Sequence, residues 1–455
     1  MPITDAAFLM AETRSKPLHV GGLQLFKLPA DATIEDISRL FDEALAHGDV
    51  DPRLRIRPTH LFGVGPLAWS EDTQLDLEYH VRHSAVPRPG RIRELLALVS
   101  RLHGTLLDRN RPLWEGHLIE GLEDGGTFAV YSKVHHSLMD GVSAMRRLER
   151  SLTPDPDERG VPPFWALGRS RGSGPAEESP SLPARAVRAA AEGVKTVAGV
   201  TQASVRALVE GIWTEAAALP YQAPASMLNV PITGARRFAA DSWSIERLHA
   251  VAKATDATVN DVLLGMCAGA LRRYLLSHDA LPAEPLVAMV PVSLRDEADE
   301  SAGNQVGLIL CNLGTHHADP ERRFEVVRRS MREGKLRLRG LTPAAVMALS
   351  AVSFAPVILG PLTNLPGFRR PPFNVIISNV PGPREKLYWN GAEMTGIYPV
   401  SVPYDGQALN ITVTSYAGSL EVGLVGCRRS VPSLQKLLDH LEESLTELER
   451  ASGVA

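Results

Sequence analysis

Seven prolines fall between Ser151 and Ala186 (Pro154, Pro156, Pro162, Pro163, Pro175, Pro180 and Pro183), mixed with Gly, Ser and Arg. Proline fixes φ and removes a backbone donor, so neither a helix nor a central strand runs through such a stretch. A chain of 455 residues interrupted in this way is expected to fold as two halves joined by a surface linker. At roughly 100–200 residues per domain, the length agrees. The expected boundaries are 1–150 for a first domain, 151–220 for the linker with a crossover helix, and 221–455 for a second domain. The crossover helix is read from about Arg185 to Leu219, where Val187, Ala191, Val194, Val197 and Val200 recur at three- and four-residue steps.

Both halves mix helical and strand patterns, so the expected class is α/β with mixed sheets. Strands are read at Leu18 to Phe26, Thr127 to Val134, Leu286 to Val292, Val306 to Leu313, Phe373 to Ser378, Ala408 to Tyr416 and Leu420 to Val425. Helices are read at Arg91 to Leu107, Gly141 to Leu152, Ser244 to Ala254, Thr258 to Leu276 and Glu321 to Arg339. No short-period repeat is present, which argues against a solenoid or propeller.

Composition narrows the function classes. With 44% hydrophobic and 22% charged residues the chain is neither disordered nor fibrous. Its 48 basic and 52 acidic residues give a net charge of −4, so no global field attracts nucleic acid, and no nucleic-acid partner is expected. Cys267, Cys311 and Cys427 stand far apart, which fits a reducing compartment better than a disulfide framework or a zinc site. Asp5 occupies the place of a basic n-region and Glu12 interrupts the apolar stretch after it, so no export signal is read. A cytoplasmic location is expected, with peripheral attachment at the inner membrane face or at lipid bodies.

One segment strains the soluble reading. From Leu341 to Phe368 no residue is charged, and the length would suffice to span a bilayer. Pro343, Pro356, Pro361 and Pro366 with Gly360 would break a spanning helix. A buried core helix and a helix that lines an acyl site or dips into a lipid surface are the other readings.

Phosphate loops of the GxxxxGK[ST] and GxGxxG kinds are absent, as is a GxSxG elbow. The concentrated chemistry is His135-His136-Ser137-Leu138-Met139-Asp140-Gly141, directly after an apolar strand and before a helix. Adjacent strand side chains face opposite ways, so one histidine can meet a cleft while the other turns inward. At pH 7 an unperturbed histidine is roughly three-quarters neutral, and a neutral imidazole is the group that removes a hydroxyl proton as that hydroxyl attacks an acyl carbon. His136 and Asp140 stand four apart without a third ligand at metal spacing, so no metal is expected. His316-His317 lacks the Asp-Gly closure and is read as a loop pair.

HHSLMDG resembles the HHxxxDG motif of the bacterial wax ester synthase/diacylglycerol acyltransferase family. That motif is shared with carnitine acyltransferases, plant acyltransferases and condensation domains, and further blocks narrow the match. They are His19 to Phe26 (HVGGLQLF), Pro112-Leu113-Trp114-Glu115, Thr258-Val259-Asn260-Asp261, Pro291-Val292-Ser293-Leu294-Arg295, Gly303-Asn304-Gln305-Val306 and Ser378-Asn379-Val380-Pro381-Gly382-Pro383. They follow the family's order over almost the whole chain. The resemblance implies two chloramphenicol-acetyltransferase-like domains. It implies His136 as proton acceptor, His135 and Asp140 as orienting groups, Gly141 as the residue that allows the turn, and support from Asn260 and Asp261. Asn260 also suits a helix cap, from its place before an apolar run. Trp114 reads as packing.

The implied reaction moves a long-chain acyl group from acyl-CoA, a co-substrate and not a bound cofactor, to a fatty alcohol or diacylglycerol. Arg328, Arg329, Arg332, Lys335, Arg337 and Arg339 form the densest basic stretch. They are read either as a solvated helix face or as CoA-phosphate contacts, with Arg328, Arg329, Arg332 and Lys335 the candidates. A condensation-type acyltransferase with a carrier-bound or polar acceptor, and a non-catalytic lipid-binding protein of the same fold, are the competing readings.

Overall fold

The computed structural model describes residues 1–60, 66–168, 222–293, 306–339 and 370–454. The crossover helix, the linker beyond residue 168, Leu294 and Arg295, Gly303 to Gln305 and the uncharged run from Leu341 to Phe368 lie outside the described residues.

The first half runs α1 (Ile3–Ala11), β1 (His19–Lys27), α2 (Ile34–Ala46), β2 (Ile56–His60), β3 (Pro66–Glu71), α3 (Leu77–His80), β4 (Val81–Ala85), α4 (Ile92–His103), β5 (Trp114–Glu120), β6 (Thr127–His135) and α5 (Gly141–Glu149). The second runs β7 (Arg236–Ser244), α6 (Ile245–Ala254), α7 (Val259–Leu276), β8 (Val287–Ser293), β9 (Val306–Asn312), α8 (Pro320–Arg339), β10 (Val375–Val380), β11 (Tyr388–Trp389), β12 (Ala392–Val400), β13 (Leu409–Tyr416), β14 (Ser419–Cys427) and α9 (Lys436–Ala451).

Two six-stranded sheets organise these elements, in the orders β11-β12-β1-β6-β5-β4 and β7-β14-β13-β10-β8-β9. Both are mixed: β4 and β5 are parallel in the first, and β10 lies parallel to both β13 and β8 in the second. The central strands are buried on both faces, which is why β14 reads as an almost unbroken apolar run. Helices α6, α7 and α9 pack on the second sheet around Leu263, Met266, Leu271, Leu424 and Leu445. Helix α7 is apolar nearly all round because it is enclosed by neighbours.

The expected boundary at residue 221 needs one correction. Strands β11 and β12, at residues 388–400, belong by pairing to the first sheet, where β12 runs antiparallel to β1 with Gly21 opposite Val400. The second half thus lends the first an edge. The sheets meet where β12 passes β14, and a Cβ on Gly423 would lie 1.9 Å from the Pro399 carbonyl oxygen. Leu95 and Val99 of α4, Tyr131 of β6, Phe238 of β7, Val400 and Val425 form one apolar cluster across the seam. The Phe238 amide donates to Ser100 Oγ at 2.9 Å beside it. Among the described residues no helix is long and apolar enough to cross a membrane, and all three cysteines are free and buried.

Candidate active site

Strand β6 ends at His135, with β1 alongside and His19 opposite His135 in the ladder. The His135 amide donates to the Leu113 carbonyl and the His136 amide to the Leu18 carbonyl, both at 2.9 Å. The two imidazoles therefore start from a fixed backbone. His135 is fully buried and His136 half-buried, the division that strand alternation leads one to expect.

The tautomer of His135 follows from its partners. The Ser137 amide donates to Nδ1 at 3.1 Å, and Ser137 Oγ lies 2.6 Å from the same nitrogen. A ring nitrogen that accepts a backbone N–H carries no proton, so the proton of neutral His135 sits on Nε2. That atom faces Glu12 Oε1 at 3.4 Å. Glu12 is buried in turn: its Oε1 accepts the Leu18 amide at 2.9 Å and its Oε2 accepts Arg109 Nη2 at 3.1 Å. Burial alone would raise the Glu12 pKa, but His135, Leu18 and Arg109 outweigh it and hold the carboxyl below its ordinary value. Sequence reasoning treated Glu12 only as an interruption of an apolar stretch. A carboxylate closing that stretch was the available signal, and its partner lies far along the chain.

His136 stacks on Phe8 of α1, with ring centroids 4.5 Å apart and planes inclined by 19°. Burial lowers its pKa below the ordinary histidine value, with the His135 charge acting in the same direction; a hydrogen bond to its own backbone and the Asp140 charge oppose this. Burial thus favours the neutral imidazole, the state a proton acceptor requires.

Asp140 is the N-cap of α5, its Oδ1 accepting the Ser143 amide at 2.7 Å. Gly141 follows as the first helical residue, without a positive φ. A Cβ there would meet nothing within 4 Å, so the turn does not depend on glycine, contrary to expectation. The expected cap at Asn260 is also corrected. Thr258 caps α7 in a capping box, with Thr258 Oγ1 donating to Asp261 Oδ2 at 2.7 Å and the Asp261 amide donating to Thr258 Oγ1 at 3.2 Å. Asn260, two residues after the cap, instead accepts Asn379 Nδ2 through its Oδ1 at 3.3 Å. That bond joins two sequence blocks, and none of the described contacts of Asn260 or Asp261 reaches the histidines.

Three of the six side chains in the basic stretch on α8 are paired with two glutamates of the same helix. Arg328 reaches Glu325 at 3.3 Å, Arg329 reaches Glu333 at 3.1 Å, and Arg337 reaches Glu333 at 3.3 Å. Arg332 is exposed and Lys335 half-buried. Trp114 is fully buried against His80, Phe164 and Trp165, with Nε1 donating to the Leu54 carbonyl at 2.7 Å, so it packs as expected. His316 and His317 lie in the loop after β9. Among the described residues no group of three or more His, Cys, Asp or Glu side chains is arranged to hold a metal ion.

Two mixed sheets in this order, with a paired histidine motif closing one strand, define the two-domain chloramphenicol-acetyltransferase-like class of acyltransferases. A family model described as the wax ester synthase/diacylglycerol acyltransferase catalytic domain matches residues 1–263, and one described as the WS/DGAT C-terminal domain matches residues 302–449. The protein belongs to that family and is an acyltransferase. A Mycobacterium tuberculosis H37Rv protein provisionally named diacylglycerol O-acyltransferase is 50% identical over 453 residues, 99% of each chain. The O-acyltransferase WSD of Acinetobacter baylyi is 42% identical over 447 residues, 97% of this chain and 95% of its own. The solved wax ester synthase/diacylglycerol acyltransferase of Marinobacter aquaeolei VT8 is 44% identical and superposes with a TM-score of 0.79, covering 100% of this chain and 99% of its own. A condensation domain of the calcium-dependent antibiotic synthetase shares the fold at 17% identity, with a TM-score of 0.57 over 99% of this chain and 96% of its own.

Proposed function

We propose that the protein transfers a long-chain acyl group from acyl-CoA to the hydroxyl of a fatty alcohol or diacylglycerol, giving a wax ester or triacylglycerol, with His136 as general base. The observation that carries the assignment is the unequal environment of the two histidines. His135 is buried and its Nδ1 is committed to Ser137. His136 is half-buried, and burial lowers its pKa. The names of the relatives supply the acceptor class.

In the proposed step neutral His136 takes the hydroxyl proton as the oxygen attacks the thioester carbon. The C–O bond forms, the C–S bond breaks, and the imidazolium returns the proton to the departing thiolate. No acyl-enzyme is needed. His135, locked between Ser137 and Glu12, holds the strand end, and Asp140 fixes the start of α5 behind His136. Attachment to a membrane face or to lipid bodies is part of the proposal, because both acceptors reside there.

Substitution His136→Ala is expected to lower thiol release from acyl-CoA plus long-chain alcohol by about 10²–10⁴-fold, the usual contribution of a positioned general base. Near-native turnover by a folded variant would remove His136 from the mechanism. A panel of alcohols, diacylglycerols and amines reads the acceptor, and preference for an amine would sink the ester-forming assignment.

A further inference from the structure

A cavity of about 800 Å³ opens between the halves, within the ~300–1,000 Å³ range of small-molecule sites. Its walls come from the turn after α1, the C-terminal end of α4, the approach to β7 and the residue after β14. Four arginines line it, Arg14, Arg101, Arg236 and Arg428, together with hydroxyl residues such as Thr105 and Thr233, and among the described residues no carboxylate does.

Arg236 is the informative member. It is 4% exposed, and its guanidinium donates only to backbone carbonyls, those of Thr233 and of Ser15, the latter at 3.2 Å. Burial draws its pKa down to about 10, so it remains charged at pH 7. Two other deeply placed arginines among the described residues have carboxylate partners: Arg147 meets Asp51 at 3.0 Å and Arg323 meets Glu447 at 3.3 Å. A buried charge is costly unless it is fully compensated, and three more guanidiniums in the same cleft add repulsion. Two carboxylates on flanking loops are already engaged, Glu12 by Arg109 and Asp405 by Lys16 at 2.8 Å. Among the described residues the charge set against Arg236 is that of Cys427, whose thiol, against the effect of burial, is drawn down to about 7 by its hydrogen bonds with Ser430 and Thr233. One thiolate does not balance four guanidiniums, so the cleft favours an added anion.

We infer that this interdomain cleft is a phosphate site, and that under the acyl-CoA reading on which the inference rests it holds the phosphate groups of CoA. Guanidinium forks suit phosphate oxygens geometrically as well as electrostatically. Two wall residues of the cleft lead toward the histidine strand. Thr13 follows Glu12, which faces His135, and the Thr105 carbonyl accepts Lys133 Nζ at 3.0 Å, two residues ahead of His135. The arginines that matter are thus scattered in sequence and converge only in the fold. On α8, by contrast, Arg328, Arg329 and Arg337 already pair with Glu325 and Glu333 of their own helix.

The test uses the full-length protein with Arg101→Gln and Arg428→Gln, singly and combined, both at exposed positions, and Arg236→Met as a separate variant. Acyl-CoA KM, alcohol KM and kcat are measured, with direct binding of CoA and of vesicles containing phosphatidylglycerol. The expected result for the double variant is at least a tenfold rise in acyl-CoA KM and in CoA Kd, with alcohol KM and kcat unmoved and a shallower salt dependence. Unchanged CoA affinity in the folded double variant overturns the inference. Loss of vesicle binding with CoA binding intact also overturns it, assigning the cleft to lipid headgroups. If wild-type protein releases no thiol from acyl-CoA yet binds CoA through these arginines, the site stands and the proposed reaction fails.

Discussion

At the scale of single residues, the protein separates two chemically identical side chains by environment. His135 and His136 are neighbours, yet one is committed to Ser137 and Glu12 while the other stacks on Phe8 with its pKa lowered mainly by burial. The lowered value has a kinetic sign. A general base works only unprotonated, so kcat/KM is expected to fall as pH drops through the His136 pKa, and that acid limb should lie below the ordinary value of about 6.5. A pH profile whose acid limb lies at or above that value would contradict the assignment. The paired motif was legible because strand, histidines and helix start are contiguous in sequence. Glu12 was not, because its partner is brought to it only by the pairing of β1 with β6.

At the scale of elements, local chemistry decides where helices begin. Helix α7 was legible from its apolar run, but its cap was misjudged: both Thr258 and Asn260 are cap-competent, and only Asp261, three residues after Thr258, closes a box. Thr258→Ala is accordingly expected to cost about 1 kcal/mol in a denaturant melt, within the ~0.5–2 kcal/mol range for lost caps. Equal destabilisation by Asn260→Ala would overturn that ranking. Strand β12 escaped sequence reading for a different reason. Its Gly396 and Pro399 weaken a strand pattern, and its place in the first sheet depends on a partner near the start of the chain. Helix α9 carried a readable signal, with Leu437, Leu441, Leu445 and Leu448 on one buried stripe among charged residues.

At the scale of the molecule, the seam between the sheets combines an apolar cluster, one backbone crossing and a cleft lined with positive charge. The crossing leaves no room for a side chain on β14 at residue 423. Gly423→Ala sets a methyl against the Pro399 carbonyl, which is backbone and yields little, so a loss of about 1–3 kcal/mol is expected, typical of overpacking. A thermal melt with an unchanged midpoint would show that the sheets can part there freely. The exchanged edge has a further consequence in time. Gln24 and Met394 meet across the β1–β12 ladder although 370 residues separate them in the chain. At about 5–20 residues per second, translation leaves β1 with one side unpaired for tens of seconds. A nascent first half therefore presents an open edge to its neighbours on a polysome, and chaperone capture or misassociation would act within that interval.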